Sequence, residues 1–196
     1  SAVKGTGSST YAYNLALNLN KETKKKVVML SIRSTEEIKQ QMQRAKDGKE
    51  EIKPNDVGID IKELVGNYDK IKENIIHETL PIDLLTVSID GDDSSLRKYI
   101  SPLVSALVGD YHYVLVDLPN SMDEIIFETL TQSDSVHLIS MDRRSDLDQT
   151  KKVIEHLREN SKEGLSVDRI KILIRGVHDK IYLSYEMINK AIGFDV

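Results

Sequence analysis

The segment Ser1-Ala2-Val3-Lys4-Gly5-Thr6-Gly7-Ser8-Ser9-Thr10 gathers the residue types that hold an anion. It has no hydrophobic period of its own. A helical pattern follows at once, with Tyr11, Leu15 and Leu19 on one stripe and Ala12 and Ala16 beside them. Glycines allow a tight turn and a close backbone approach to a ligand. The first amides of the helix are unpaired, point outward and lie at the positive end of its dipole. Ser and Thr hydroxyls add hydrogen bonds or coordinate Mg²⁺. A second chemical candidate is Asp117, which closes the apolar run Tyr113-Val114-Leu115-Val116. A carboxylate at a strand end can hold the water shell of Mg²⁺.

The elements that must position these groups alternate along the chain. The first helix is expected over 9–24, ending in Lys24-Lys25-Lys26, where cations suit the helix dipole. Val27-Val28-Met29-Leu30 reads as a strand covered on both faces. Ser31-Ile32-Arg33-Ser34 follows, with Ser34 capping a helix that starts at Thr35. Residues 45–60 are polar and read as a loop, and short helices are expected over 59–65 and 68–77. Further strands are expected over 82–89, 113–116, 135–140 and 170–174. Helices are expected between them, over 145–160, and finally over 182–192. This order predicts an α/β fold, a doubly wound and mostly parallel sheet with helices on both faces. The runs 27–30, 113–116 and 135–139 are expected at its buried centre. Ligands of such sheets sit beyond the carboxyl ends of the strands, which would gather the glycine loop, Ser31–Arg33 and Asp117 around one crevice.

At 196 residues the chain fits one domain, 1–196, with a full core. A net charge of −5 provides no bulk attraction to nucleic acid, so none is expected as a partner. Cysteine is absent, which excludes disulfides and thiolate metal sites and suits the cytoplasm. No run of 18 apolar residues is present, so no transmembrane segment is expected.

A phosphate-binding P-loop reads G-x-x-x-x-G-K-[ST], whereas here Ser8 follows Gly7. The loop resembles the deviant Walker A motif of the MinD/ParA family, roughly S-x-K-G-G-x-G-K-[ST]-T. On that pattern Ser1 takes the leading serine, Gly5 and Gly7 the second and third glycines, and Ser9 and Thr10 the hydroxyl pair. Val3 and Ser8 replace both lysines, and Lys4 stands one residue from the first, where a glycine is usual. The run Tyr111-His112-Tyr113-Val114-Leu115-Val116-Asp117-Leu118-Pro119 is similar to the family's Y-D-x-[IV]-[IV]-[IV]-D-x-P. Lys171-Ile172-Leu173-Ile174-Arg175-Gly176 stands where the family carries V-x-N-R, with Arg175 replacing the asparagine that contacts adenine. Leu183-Ser184-Tyr185-Glu186-Met187-Ile188-Asn189-Lys190-Ala191-Ile192-Gly193 is similar to the L-S-x-x-x-I-x-x-A-[IL]-G ending of the CpaE/TadZ pilus-assembly branch.

The resemblance implies nucleotide contacts at Lys4, Gly5, Thr6, Gly7, Ser8, Ser9, Thr10, Asp117 and Arg175, and a Mg²⁺ site at Ser9 and Asp117. It also implies a first strand upstream of Ser1, preceded by a receiver-like domain. Active members end the second strand in D-x-D, whose first Asp orients the attacking water. Here Ser31 and Arg33 take those places. Serine is no base at neutral pH, and arginine does not deprotonate. With both lysines and both carboxylates replaced, no catalytic residue is expected. Binding should suffer less: losing one charge-assisted hydrogen bond, about 1.5–3 kcal/mol, weakens affinity about ten- to a hundred-fold. Lys4 or Arg33 could reach back toward the phosphates.

His77, His112, His137, His156 and His178 show no ligand spacing. The Asp90-Gly91-Asp92-Asp93-Ser94 stretch reads as a capping loop, and Arg143-Arg144 as a solvated turn. The expected protein is a degenerate, non-hydrolysing, MinD-like nucleotide-binding domain. It would take ATP weakly or not at all, with Mg²⁺. It would act as a homodimeric localisation or scaffold factor for pilus or secretion-system assembly, cytoplasmic, polar or peripheral to the inner membrane. The alternative is an active ATPase switch of the MinD/ParA type that positions a cellular structure. A tyrosine-kinase-like P-loop domain is a third reading, which the absence of a tyrosine-rich tail disfavours.

Overall fold

The computed structural model describes residues 6–46, 58–77, 81–89, 97–119, 124–159, 167–176 and 183–193. The chain divides into two compact units, one of residues 9–119 and one of residues 1–8 with 120–196.

In the first unit, helix α1 (Ser8–Thr23, its first residue belonging to the other unit) leads into strand β1 (Val27–Ser34). Lys24 makes the turn: its φ of 58° is left-handed, and its N–H donates to the Asn20 carbonyl at 2.8 Å. This is the αL stop common at helix C-termini. Helix α2 (Thr35–Lys46) follows, and Ser34 caps it as its sequence position predicts, with Glu37 N–H donating to Ser34 Oγ at 3.1 Å. Strand β2 (Ile59–Asp60) and helices α3 (Ile61–Leu64) and α4 (Tyr68–Asn74) come next. Asp60 and Asn67 cap these two helices. Strand β3 (Asp83–Ile89), helix α5 (Arg97–Asp110) and strand β4 (Tyr113–Asp117) complete the unit.

The four strands pair in parallel in the order β2-β3-β1-β4. Side chains of a strand alternate between faces. Val27 and Met29 of β1 join Ala16, Ile82 and Leu84 in a cluster onto which Ala12, Tyr13 and Leu17 of α1 and Tyr113 and Leu115 of β4 pack. Val28, Leu30 and Ile32 point to the opposite face and are also buried. Each such aliphatic side chain contributes about 1.5–3 kcal/mol of burial. At the amino ends of the strands, Tyr111 O–H donates to Asp83 Oδ2 at 2.7 Å, and burial together with that carboxylate pushes the phenol pKa well up.

The second unit contains helix α6 (Glu124–Thr131), strand β5 (Val136–Met141), helix α7 (Arg144–Glu159), a 3₁₀ turn (Val167–Arg169), strand β6 (Ile170–Arg175) and helix α8 (Tyr185–Ile192). Strands β5 and β6 pair in parallel, from Val136 opposite Ile170 to Met141 opposite Arg175. Helix α7 packs on β5 and α8 through a buried face that includes Leu147, Thr150, Ile154 and Leu157.

The parallel α/β reading holds, with three differences. Strand β1 continues through Ser34, because Ser31–Ser34 pair with Thr86–Ile89 of β3. Residues 113–116 are half-buried rather than fully buried, and among the described residues β4 lies at an edge of its sheet. Among the described residues, the strands expected in a single sheet around 27–30, 113–116 and 135–139 pair in two hydrogen-bonded sets, with 136–139 in the β5–β6 pair. Among the described residues, no strand pairs with the outer edge of β4 or with the second edge of β5. The expected loop over Asp90–Ser94, most of the expected loop over 45–60 and His178 lie outside the described residues.

Helix α8 also changes the weight of a motif. Met187 N–H donates to Ser184 Oγ at 3.2 Å, and Gly193 closes the helix at φ 68° with its N–H on the Asn189 carbonyl. The Ser and Gly of the pilus-branch pattern are thus an N-cap and a C-terminal left-handed stop. Many unrelated helices share this punctuation, so it does not identify a branch. Ser184→Ala and Gly193→Ala should each cost about 1 kcal/mol in urea unfolding. Glu186→Ala, at an exposed position, should cost less than about 0.5 kcal/mol.

Candidate functional site

Two groups of predicted site residues are brought together, one in each unit. The first lies where β1, β3 and β4 end. On the face that carries Val27, Met29, Tyr113 and Leu115, the next residues are polar: Ser31 stands opposite Asp117 on one side and Thr86 on the other. All three are buried. Arg33, two residues beyond Ser31, points to the same face by strand alternation. Its Nη2 lies 3.3 Å from Asp117 Oδ2, with Asp117 6% exposed and Arg33 36% exposed. Arg33 therefore reaches Asp117, a partner that its sequence position did not reveal. Because α1 turns directly into β1, its starting residues Ser9 and Thr10 lie toward this carboxyl-terminal edge.

The strand-end position of Asp117 is the one expected. The signal that sequence reading missed is the register. Once Ser31 pairs with Asp117, the residue at 33 becomes its diagonal neighbour, within reach of a long side chain. As the side chains stand, Asp117 does not fit a resident Mg²⁺. Its Oδ2 already faces the Arg33 guanidinium, and Ser31 opposite it supplies only a hydroxyl.

The second group involves the glycine loop. Thr6 is 1% exposed, and its Oγ1 is buried without a hydrogen-bond partner. Gly7 has φ +83°, a conformation that favours glycine. A Cβ at Gly7 would lie 2.7 Å from Arg175 Nη1, so the absence of a side chain there lets the guanidinium approach the loop backbone. The Arg175 carbonyl accepts from Asp142 N–H at 3.2 Å, tying the end of β6 to the start of α7. Gly7, Ser8 and Arg175 thus share one neighbourhood at the carboxyl end of β6. The unpartnered Thr6 hydroxyl and a cradle that a Cβ would fill are features that suit an anion. Lys4 and Gly5 lie outside the described residues.

Sequence reading also missed two buried carboxylates beside Arg143 and Arg144. Both arginines are exposed, as a solvated turn requires, but Asp142 and Asp146 are 5% and 7% exposed. Asp146 Oδ1 accepts from Ser145 Oγ at 3.0 Å. Thr150 Oγ1 lies 2.8 Å from both Ser140 Oγ and the Asp146 carbonyl oxygen, which links α7 to β5. Aspartates at the start of a helix suit its dipole.

The sequence matches no family model and no curated protein. Solved structures do match. A ParA family ATPase from Chlorobium tepidum superposes with a TM-score of 0.74 at 18% identity, over 100% of this chain and 79% of that one. The MinD cell division protein of Aquifex aeolicus gives 0.69 at 20% identity, over 100% and 77%. The septum site-determining protein MinD of Pyrococcus horikoshii, complexed with Mg-ADP, gives 0.60 at 16% identity, over 97% and 74%. At these identities the likeness is one of architecture: the chain has the α/β fold of the ParA and MinD ATPases.

Proposed function

We propose that this chain is a nucleotide-binding domain that has given up hydrolysis and acts as a localisation or scaffold factor. The observation that carries the reading is the loop at Thr6-Gly7-Ser8, opening α1 with the Arg175 guanidinium packed against Gly7. That arrangement returns a cation to a loop that has serine where a P-loop has lysine. The ligand is ATP or a similar polyphosphate, bound by backbone amides of the loop, the hydroxyls of Thr6, Ser8, Ser9 and Thr10, and Arg175. Lys4 and Gly5, which precede Thr6 in the sequence, are further contacts in this reading. Bound Mg²⁺ would take Ser9 and Asp117 only with Arg33 displaced.

The loss of turnover rests on Ser31 and Arg33. Phosphoryl transfer depends on positioning and on stabilising charge as it develops. No carboxylate stands at either position, and Arg33 is paired with Asp117. The functional unit in this reading is a homodimer of single domains, preceded by a receiver-like domain. Its setting is a pilus or secretion-system assembly in the cytoplasm, polar or peripheral to the inner membrane. No described helix is long and apolar enough to cross a membrane.

Equilibrium binding of labelled ATP should give an affinity in the millimolar range, about ten- to a hundred-fold weaker than that of a lysine-bearing loop. Phosphate release should not exceed a protein-free blank, and Asp117→Ala should leave it unchanged. Release above the blank that is sensitive to Asp117→Ala would establish the active-switch alternative. Absence of binding at millimolar ATP would leave the loop as a relic.

Gly7→Ala should abolish the measured affinity, because a Cβ strains φ +83° and meets Arg175 Nη1 at 2.7 Å. Sedimentation at micromolar concentration, with and without ATP, should show a two-fold assembly in at least one condition. A monomer in both conditions would remove the dimer from the proposal.

A further inference from the structure

The pair between Arg33 and Asp117 determines what else Asp117 can hold. At 6% exposure the carboxylate has lost most of its water, and a buried anion needs both charge compensation and hydrogen bonds. The residue opposite it, Ser31, and the next across the sheet, Thr86, are hydroxyl-bearing and neutral. Arg33 supplies the charge. It comes from the same sheet, two residues beyond Ser31 on the adjacent paired strand, so its local concentration does not depend on solution conditions. A guanidinium stays protonated throughout the range in which proteins are folded. At 36% exposure, Arg33 also has solvent to move into if something displaces it.

We propose that Arg33 is a built-in substitute for a divalent cation on Asp117, and that arginine and metal compete for the one carboxylate. The inference goes beyond the nucleotide-binding reading and concerns Asp117 itself. Arg33 is in this sense a specificity-determining residue: it decides whether the carboxylate holds a guanidinium or a metal ion. Arg33→Gln frees Asp117 for a cation, whereas Arg33→Lys keeps the positive charge and the exclusion.

The test uses the full chain without nucleotide and follows thermal unfolding in EDTA and in about 10 mM MnCl₂ at matched ionic strength. Mn²⁺ serves as the probe because it suits carboxylate and water ligands. Wild type and Arg33→Lys should show no Mn²⁺-dependent shift. Arg33→Gln should melt below wild type in EDTA and rise by about 2 °C or more in Mn²⁺. The double variant Arg33→Gln with Asp117→Asn should lose that response.

A wild-type response equal to that of Arg33→Gln would overturn the proposal, and so would an Arg33→Gln variant that folds but ignores Mn²⁺. A second arm does not depend on that variant folding. Electron paramagnetic resonance of Mn²⁺ with wild type should show no sub-millimolar site, and such a site, if abolished by Asp117→Asn, would also overturn it. No nucleotide enters either arm, so a failure of nucleotide binding bears on the proposed function and leaves these results standing.

Discussion

A carboxylate that folding removes from water must be neutralised, and the carboxyl-terminal edge of the four-stranded sheet is arranged around that requirement. Asp117 is brought there by β4, whose apolar residues place it at the end of a half-buried strand. Pairing of β1 with β4 sets Ser31 opposite Asp117 and makes Arg33 its diagonal neighbour. Removing one partner of a buried pair typically costs about 3–5 kcal/mol, because the other charge is left uncompensated. Arg33 is partly solvated, so the lower part of that range, or less, applies here. The same geometry fixes which groups surround the carboxylate at that edge.

The two arginines at strand ends illustrate how one residue type can serve two ends. Arg33 lies at the end of β1 against a carboxylate, and Arg175 at the end of β6 against a glycine backbone. The first removes negative charge from its surroundings by pairing. The second leaves its positive charge next to a backbone that itself favours anions. In each unit a strand terminus carries a guanidinium.

The sequence made the alternation of elements legible because the signals were local. Val27 to Leu30 is a continuous apolar run, α1 carries a helical stripe, and Ser34 announces the start of α2. The extension of β1 through Ser34 was not legible, since Ser31, Arg33 and Ser34 have no apolar pattern and are held by pairing with β3. The half-burial of β4 was hidden for a related reason: edge and centre differ in neighbours, not in their own residues. At the site, the identities of Gly7, Asp117 and Arg175 could be read, but their partners could not. The Arg33–Asp117 contact spans 84 positions and appears only when the register is known. The approach of Arg175 to Gly7 likewise joins opposite ends of the chain.

The placement of β1 inside its sheet has a consequence for synthesis. Val27 to Ile32 are six successive buried residues, and their hydrogen-bonding partners in β3 and β4 begin at Asp83 and Tyr113. Chains emerge from the ribosome at about 5–20 residues per second, so β1 waits several seconds for its neighbours. Throughout that interval it is an apolar segment of high β-propensity with both edges open, the kind that pairs with other copies of itself. Lys24, Lys25 and Lys26 immediately precede it and place like charges where two such segments would meet. The basic run that follows α1 in the finished fold thus stands, during translation, where a gatekeeper charge would protect the strand after it.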